Sequence, residues 1–122
     1  MCVSYMRGVA HNKATVLLQK MPYGVVLVDQ DLKIIESNKH FAQFISNDAL
    51  QIYDIKPGME GADIQKLTPI YKLFANALLK GIDEFEKDVR INGTYFHISI
   101  FSIHKFKIVC GIIYPLNKEF MK

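Results

Sequence analysis

The sequence predicts an α+β domain with an antiparallel sheet: a flanking helix, two strands, a helical middle and three strands, five strands in all. Three patterns carry this reading. Two short β-branched stretches, Val25 to Val28 and Leu32 to Glu36, are joined by the turn Asp29-Gln30-Asp31. A helical middle follows, from a capping Asn38 to Gly81. The last third alternates in the manner of strands and is broken at Asn92-Gly93, the strongest short hairpin signal in the chain. A chain of 122 residues holds one domain of this kind.

Each element has a local reason. Residues 1–11 carry no clear pattern and read as a tail or as the end of an upstream domain. Residues 12–21 form an amphipathic flanking helix. Asn12 caps it, Ala14, Leu17, Leu18 and Met21 share a stripe, and Pro22 stops it. The domain proper spans 22–115. After Asn38, residues Phe41, Phe44 and Ile45 keep helical spacing. Between 46 and 66, Asn47, Asp48, Pro57, Gly58 and Gly61 predict short helical turns and loop. Thr68 caps the clearest helix, with Pro69 in its first turn and Gly81 at its end. Its stripe is Leu67, Ile70, Tyr71, Phe74 and Leu78. Phe85, Lys87, Val89 and Ile91 then alternate with Glu86, Asp88 and Arg90. Two long strands follow, Tyr95 to Ile103 and Phe106 to Tyr114, tightly linked by His104-Lys105. Pro115 ends the sheet, and 116–122 form a linker.

Composition excludes several classes. Half of the residues are apolar, too many for a disordered chain. Yet the longest apolar run, Val25 to Val28, falls far short of the ~20 residues that span a bilayer. Arg7, His11 and Lys13 interrupt the apolar N-terminal stretch, so it does not read as a signal peptide. Fifteen basic residues oppose twelve acidic ones without a dense basic stripe, which argues against a nucleic-acid partner. Cys2 and Cys110 make neither a disulfide framework nor a zinc site, and a reducing, cytoplasmic setting fits them. Asp88, His97 and Ser99 can be strung together as a hydrolytic set, but no nucleophile elbow surrounds them. Asp83-Glu84 reads as a solvated acid pair. The expectation is a protein that is not an enzyme.

The apolar excess has an address. On the two last strands, one face carries Phe96, Ile98, Ile100, Val109, Gly111 and Ile113. The other carries Tyr95, His97, Ser99, Phe101 and Ile103, then Phe106, Ile108, Cys110, Ile112 and Tyr114. A single-layer antiparallel sheet normally has one wet face. Here both are largely apolar, and the middle helices cover only one. The N-terminal helix with Leu17 and Leu18, a partner subunit, or both must cover the other. A self-complementary patch on a two-fold homodimer is the economical use of so wide a surface.

Taken in order, these stretches resemble a PAS domain. Met21 to Asp29 is similar to that family's opening strand. Leu32 to Asn38 is similar to its second strand with the helix-capping asparagine, and Lys39 to Phe44 to the helix after it. The Asn-Gly hairpin, the long strand and Val109 to Ile113 are similar to its closing meander. The resemblance covers about residues 12–115. It implies a sensory or regulatory module of bacterial signal transduction. Such a module dimerises, binds a small ligand or cofactor, and passes a change to an attached effector or upstream domain. The ligand cavity would be lined by Phe41, Phe44, Tyr71, Phe74 and Leu78 from the helices and by Phe96, Ile98, Ile100, Val109, Gly111 and Ile113 from the sheet. The dimer face would use Leu17, Leu18, Tyr95, Phe101, Ile103, Ile108, Cys110, Ile112 and Tyr114.

Residues Lys56 to Asp63, running into the Tyr71 helix, resemble a narrower group of PAS modules. Those modules sit beside iron–sulfur domains in hydrogenase-related or sensor proteins, and Cys2 to Arg7 would then end an upstream cluster domain. No particular cofactor is implied. The middle helices lack the cysteine of flavin photosensors. The 68–80 helix lacks a haem-ligating histidine and offers only Tyr71; His40 reads as a surface residue. With no Arg or Lys on the inner faces, the cavity is apolar or filled by side chains. The alternative function is a ligand-free interaction module, for dimerisation or assembly, of a redox or hydrogenase-related protein.

Overall fold

The computed structural model describes residues 22–116. The flanking helix at 12–21, with Leu17 and Leu18, the tail with Cys2, and the linker beyond Leu116 lie outside the described residues. Five strands, β1 (Gly24–Val28), β2 (Ile34–Ser37), β3 (Glu84–Ile91), β4 (Thr94–Ile103) and β5 (Ile108–Pro115), form one sheet in the order β2-β1-β5-β4-β3. Every neighbouring pair is antiparallel. Four helices, α1 (Lys39–Ile45), α2 (Asn47–Ile55), α3 (Ile64–Leu67) and α4 (Tyr71–Lys80), separate the first hairpin from the closing meander. The fold class is the one the sequence predicts. Among the described residues, no helix is long and apolar enough to cross a membrane.

The first hairpin turns on one carboxylate. Asp29 Oδ1 accepts from the backbone N–H of Asp31 at 2.8 Å and of Lys33 at 3.0 Å. This pays part of the conformational cost of Leu32, which sits at φ 62°. A register shift between Leu27 and Val28 bends β1 as it pairs with β2.

The free edge of β2 is covered by the stretch before α3. Gly61 N–H donates to Ile34 O at 2.7 Å, and Ile34 N–H to Ala62 O at 2.8 Å. A Lys33–Asp63 ion pair at 3.4 Å lies over the same edge. An edge so occupied offers no template to another chain.

Asn38 joins this hairpin to the helices. It is fully buried. Its Oδ1 accepts from Phe41 N–H at 3.0 Å, which caps α1, and from Val25 N–H at 3.0 Å in β1. Its Nδ2 donates to Tyr23 O at 2.7 Å. Its own backbone N–H bonds to Val25 O. One side chain thus fixes the angle at which α1 leaves the sheet, and that angle presses Phe41, Ala42 and Ile45 into the core.

Three elements differ from the sequence reading. The 46–66 segment holds a nine-residue helix, α2, rather than short turns. Ser46 closes α1 with its N–H and caps α2 with its Oγ, which accepts from Ala49 N–H at 3.0 Å. Asn47 and Asp48 therefore stand in a first turn, where polar residues are favoured, and do not break the helix. The long helix begins at Tyr71, because Thr68 and Pro69 form a preceding turn in which Thr68 Oγ1 accepts from Ile70 N–H at 3.3 Å. Gly81 ends it at φ 65°, as expected. The β4–β5 link is a 3-10 turn over His104–Phe106 closed by Lys107 at φ 55°. Phe106 is consequently 63% exposed in that turn and is not a member of the outer face.

The Asn92-Gly93 turn has positive φ at both residues, 52° and 84°, as a tight hairpin requires. Asn92 Nδ2 also donates to Ile45 O at 3.1 Å, tying the turn to the end of α1.

Asn38→Ala removes three buried partners at once. It is expected to lower unfolding stability by about 3 kcal/mol in urea denaturation. Asn38→Asp keeps the two accepted bonds but sets a carboxylate oxygen against Tyr23 O in a fully buried site, so it should destabilise as well. A loss for Asn38→Ala well under about 1 kcal/mol would show that these bonds carry little.

Candidate functional site

The inner face is where the resemblance places a ligand. Phe41, Phe74, Phe96, Ile98, Ile100, Val109 and Ile113 are all buried there, in one continuous core. Phe44, Tyr71 and Leu78 pack at its margin and stay partly open. Phe44 lies tilted on Phe96, with 5.1 Å between ring centroids.

Two glycines set how closely the helices approach. A Cβ on Gly24 would stand 2.6 Å from Ile113 Cγ2 and 2.9 Å from Phe41 Cα, under α1. A Cβ on Gly111 would stand 2.6 Å from the Phe74 ring, under α4. The Phe74 ring occupies the space over Gly111 and is itself wholly buried. The candidate lining residues are thus brought together, and at Gly111 their own side chains fill the space between helix and sheet.

An open groove of about 540 Å3 lies elsewhere, between the C-terminal half of α4 and the β4–β5 turn. Leu32, Leu78, Leu79, Ile103 and Ile108 make its apolar floor and walls, and His104 and Lys107 stand among its lining residues. Leu78 and Val109 from the candidate cavity and Ile103 and Ile108 from the candidate dimer face line it, a grouping the sequence reading did not make. Its parts come from three separate turns, and no periodicity relates them.

The outer face runs in cross-strand rows. One is Leu27, Cys110, Phe101; the next is Val25, Ile112, Ser99; then Tyr114 stands beside His97. Val25 and Cys110 are buried, while Leu27, Phe101, Ile112 and Tyr114 are half-buried. Tyr95 and Ile103 mark the exposed ends of the face. Tyr23 and His97 flank the Tyr114 ring at 5.4 and 5.2 Å between centroids. Burial pushes the Cys110 thiol up to about 11, so at neutral pH it behaves as a small hydrophobe.

At the β3 side the face turns polar. His97 Nδ1 lies 2.8 Å from Asp88 Oδ1, and its Nε2 lies 3.1 Å from Glu86 Oε1. Ser99 Oγ donates to the same Glu86 oxygen at 3.0 Å. The hydrogen bond to Asp88, then the one to Glu86, hold the imidazole above its usual pKa, and the bond from His97 holds Glu86 below the usual carboxylate range. Asp88 and His97 meet, and Ser99 joins them only through Glu86, which is not a hydrolytic relay. Ser99 faces Glu86 and not the imidazole, and both ring nitrogens face carboxylates. Among the described residues, no group of three or more His, Cys, Asp or Glu side chains is placed to hold a metal ion.

The Phe74–Gly111 contact predicts a coupled pair. Gly111→Ala should lower stability by about 1–3 kcal/mol through overpacking. Adding Phe74→Leu should recover part of that loss, so the double variant costs less than the sum of the two singles in denaturant melts. Strict additivity would show that the ring is free to move away.

No family model matches the sequence, and no curated protein does. The fold, in contrast, matches solved PAS domains over nearly the whole chain. The PAS domain of a protein from Colwellia psychrerythraea aligns with a TM-score of 0.60 at 11% identity, over 89% of this chain and 98% of that one. The PAS domain of an HTR-like protein from Haloarcula marismortui aligns at 0.58 and 14%, over 93% and 97%. A chain of the E. coli DhaR(N)-DhaL complex aligns at 0.65 and 16%, over 94% of this chain but 39% of that one. Likeness at such low identity is likeness of fold, and the fold of this chain is that of a PAS domain.

Proposed function

We propose that the chain is a non-catalytic regulatory PAS module of a signalling protein, that it forms a homodimer through its outer sheet face, and that it passes a change to an attached effector. The carrying observation is that outer face. Its centre, on β1, β5 and β4, is the apolar set Val25, Leu27, Phe101, Cys110 and Ile112, of which Leu27, Phe101 and Ile112 stay half-buried, on a sheet whose other face packs on helices. A second copy placed about a two-fold axis near β5 sets apolar rows on apolar rows.

Solved structures of similar fold support a signalling role. They include a PAS domain from a two-component sensor histidine kinase and one from the nitrogen regulation protein NR(II) of Vibrio parahaemolyticus. The filling of the inner face by Phe74 supports action by contact without a resident ligand. The open groove beside α4 supports the second reading, in which a small apolar molecule binds there. The narrower likeness to PAS modules beside iron–sulfur domains rests on Lys56 to Asp63 and on Cys2 to Arg7, and it stays a reading of sequence.

Ile112→Glu places a charge at the centre of the dimer face. It should raise the dimer dissociation constant at least about tenfold in sedimentation velocity. A wild-type chain that stays monomeric at high micromolar concentration would overturn the homodimer. Native mass spectrometry should show two chains and no retained molecule; a retained apolar molecule would favour the second reading.

A further inference from the structure

We propose that His97 is a proton-dependent clamp on the dimer face: protonated, it ties Glu86 and Asp88 to the sheet; deprotonated, it frees their charge and loosens the dimer. The inference deepens the homodimer reading above and rests on it.

The geometry sets the protonation state. A neutral imidazole carries one N–H and can donate to one carboxylate only. In this cluster Nδ1 meets Asp88 at 2.8 Å and Nε2 meets Glu86 at 3.1 Å. Both bonds exist together only in the imidazolium. Loss of the proton leaves one carboxylate facing a nitrogen lone pair, so one of the two acids must swing away.

Position makes that event matter. Asp88 pairs directly with His97 across the β3–β4 ladder, and Glu86 pairs with Ser99. The His97 side chain is 21% exposed, while the two acids are 60% and 61% exposed. The clamp therefore holds two solvent-reaching charges beside the apolar rows. The Tyr114 ring on β5 lies beside the imidazole, 5.2 Å between centroids.

The titratable groups facing His97 are Glu86 and Asp88 from β3 and Tyr114 from β5, with Tyr23 beyond Tyr114. Arg90, next along β3, lies over the Tyr95 ring instead. In an isologous dimer each copy contributes the same cluster, so each change of charge counts twice.

The sign follows from the direction of the shifts. His97 holds its proton more tightly than an ordinary histidine. Its contribution is full below the ordinary value of 6.5 and is lost as pH rises through its higher folded value. Glu86 has the opposite shift, and its contribution is lost only as pH falls through its lowered value. The clamp is closed between these limits and opens on the alkaline side.

Sedimentation velocity of the full chain at about pH 6 and about pH 8.5 tests this, together with an NMR titration of the His97 ring. The wild-type dissociation constant should rise about tenfold between the two, and the ring should titrate above 6.5. His97→Gln, which does not titrate, should dimerise with one constant at both pH values. A wild-type dimer indifferent to pH, a ring midpoint at or below 6.5, or a pH response that survives in His97→Gln would each overturn the clamp while leaving the dimer standing. A chain monomeric at both pH values would overturn the homodimer and the clamp with it.

Discussion

The architecture hangs on the hydrogen bonds of Asn38. This side chain sits where the first hairpin ends and the helical layer begins, with no solvent to satisfy it. Its oxygen serves two donors, one in β1 and one in α1, and its nitrogen reaches back to Tyr23. A buried amide that meets its partners can do so in one orientation only, because each lost bond leaves an unpaired polar group in the core. That orientation sets the direction of α1. From there Ser46 relays the chain into α2 by ending one helix and starting the next.

The two sheet faces divide the work. On the inner face, glycines at 24 and 111 remove side chains where helices come closest, and Phe41 and Phe74 press into the room they leave. Close packing of this kind favours a rigid body, since interiors transmit small displacements and do not absorb them. On the outer face, apolar rows run across β1, β5 and β4 and give way to paired charges on β3. A rigid slab with an apolar outer surface suits a module that acts by contact. In the proposed dimer, the polar margin at His97 is where an imidazole between two carboxylates holds its proton more tightly than usual.

Much of this was legible in the sequence because it rests on local rules. Asn92-Gly93 marked the β3–β4 hairpin because few other residues tolerate two positive φ angles in succession. Period-two alternation assigned Phe96, Ile98, Ile100, Val109 and Ile113 to the buried face correctly. Asn38 and Gly81 marked the start and the end of the helical middle. The α2 helix was missed because Asn47 and Asp48 read as breakers until Ser46 is recognised as the cap ahead of them. Phe106 was misplaced for a similar reason: a four-residue turn with a left-handed Lys107 looks like continued strand when only apolar spacing is read.

What the sequence determined by itself was the order of the strands, the α+β class and the sidedness of the closing strands, since all three follow from spacing and from the φ preferences of single residues. What only the tertiary structure decided was contact at a distance. Phe74 could be placed on a helix stripe, but not over Gly111. His97 and Glu86 could be placed on one face, but not at hydrogen-bond distance. The groove beside α4 has no linear signature at all. Such meetings depend on strand register and on the angle at which a helix leaves a sheet. A cross-strand register, or one buried amide, fixes those quantities through groups far apart in the chain.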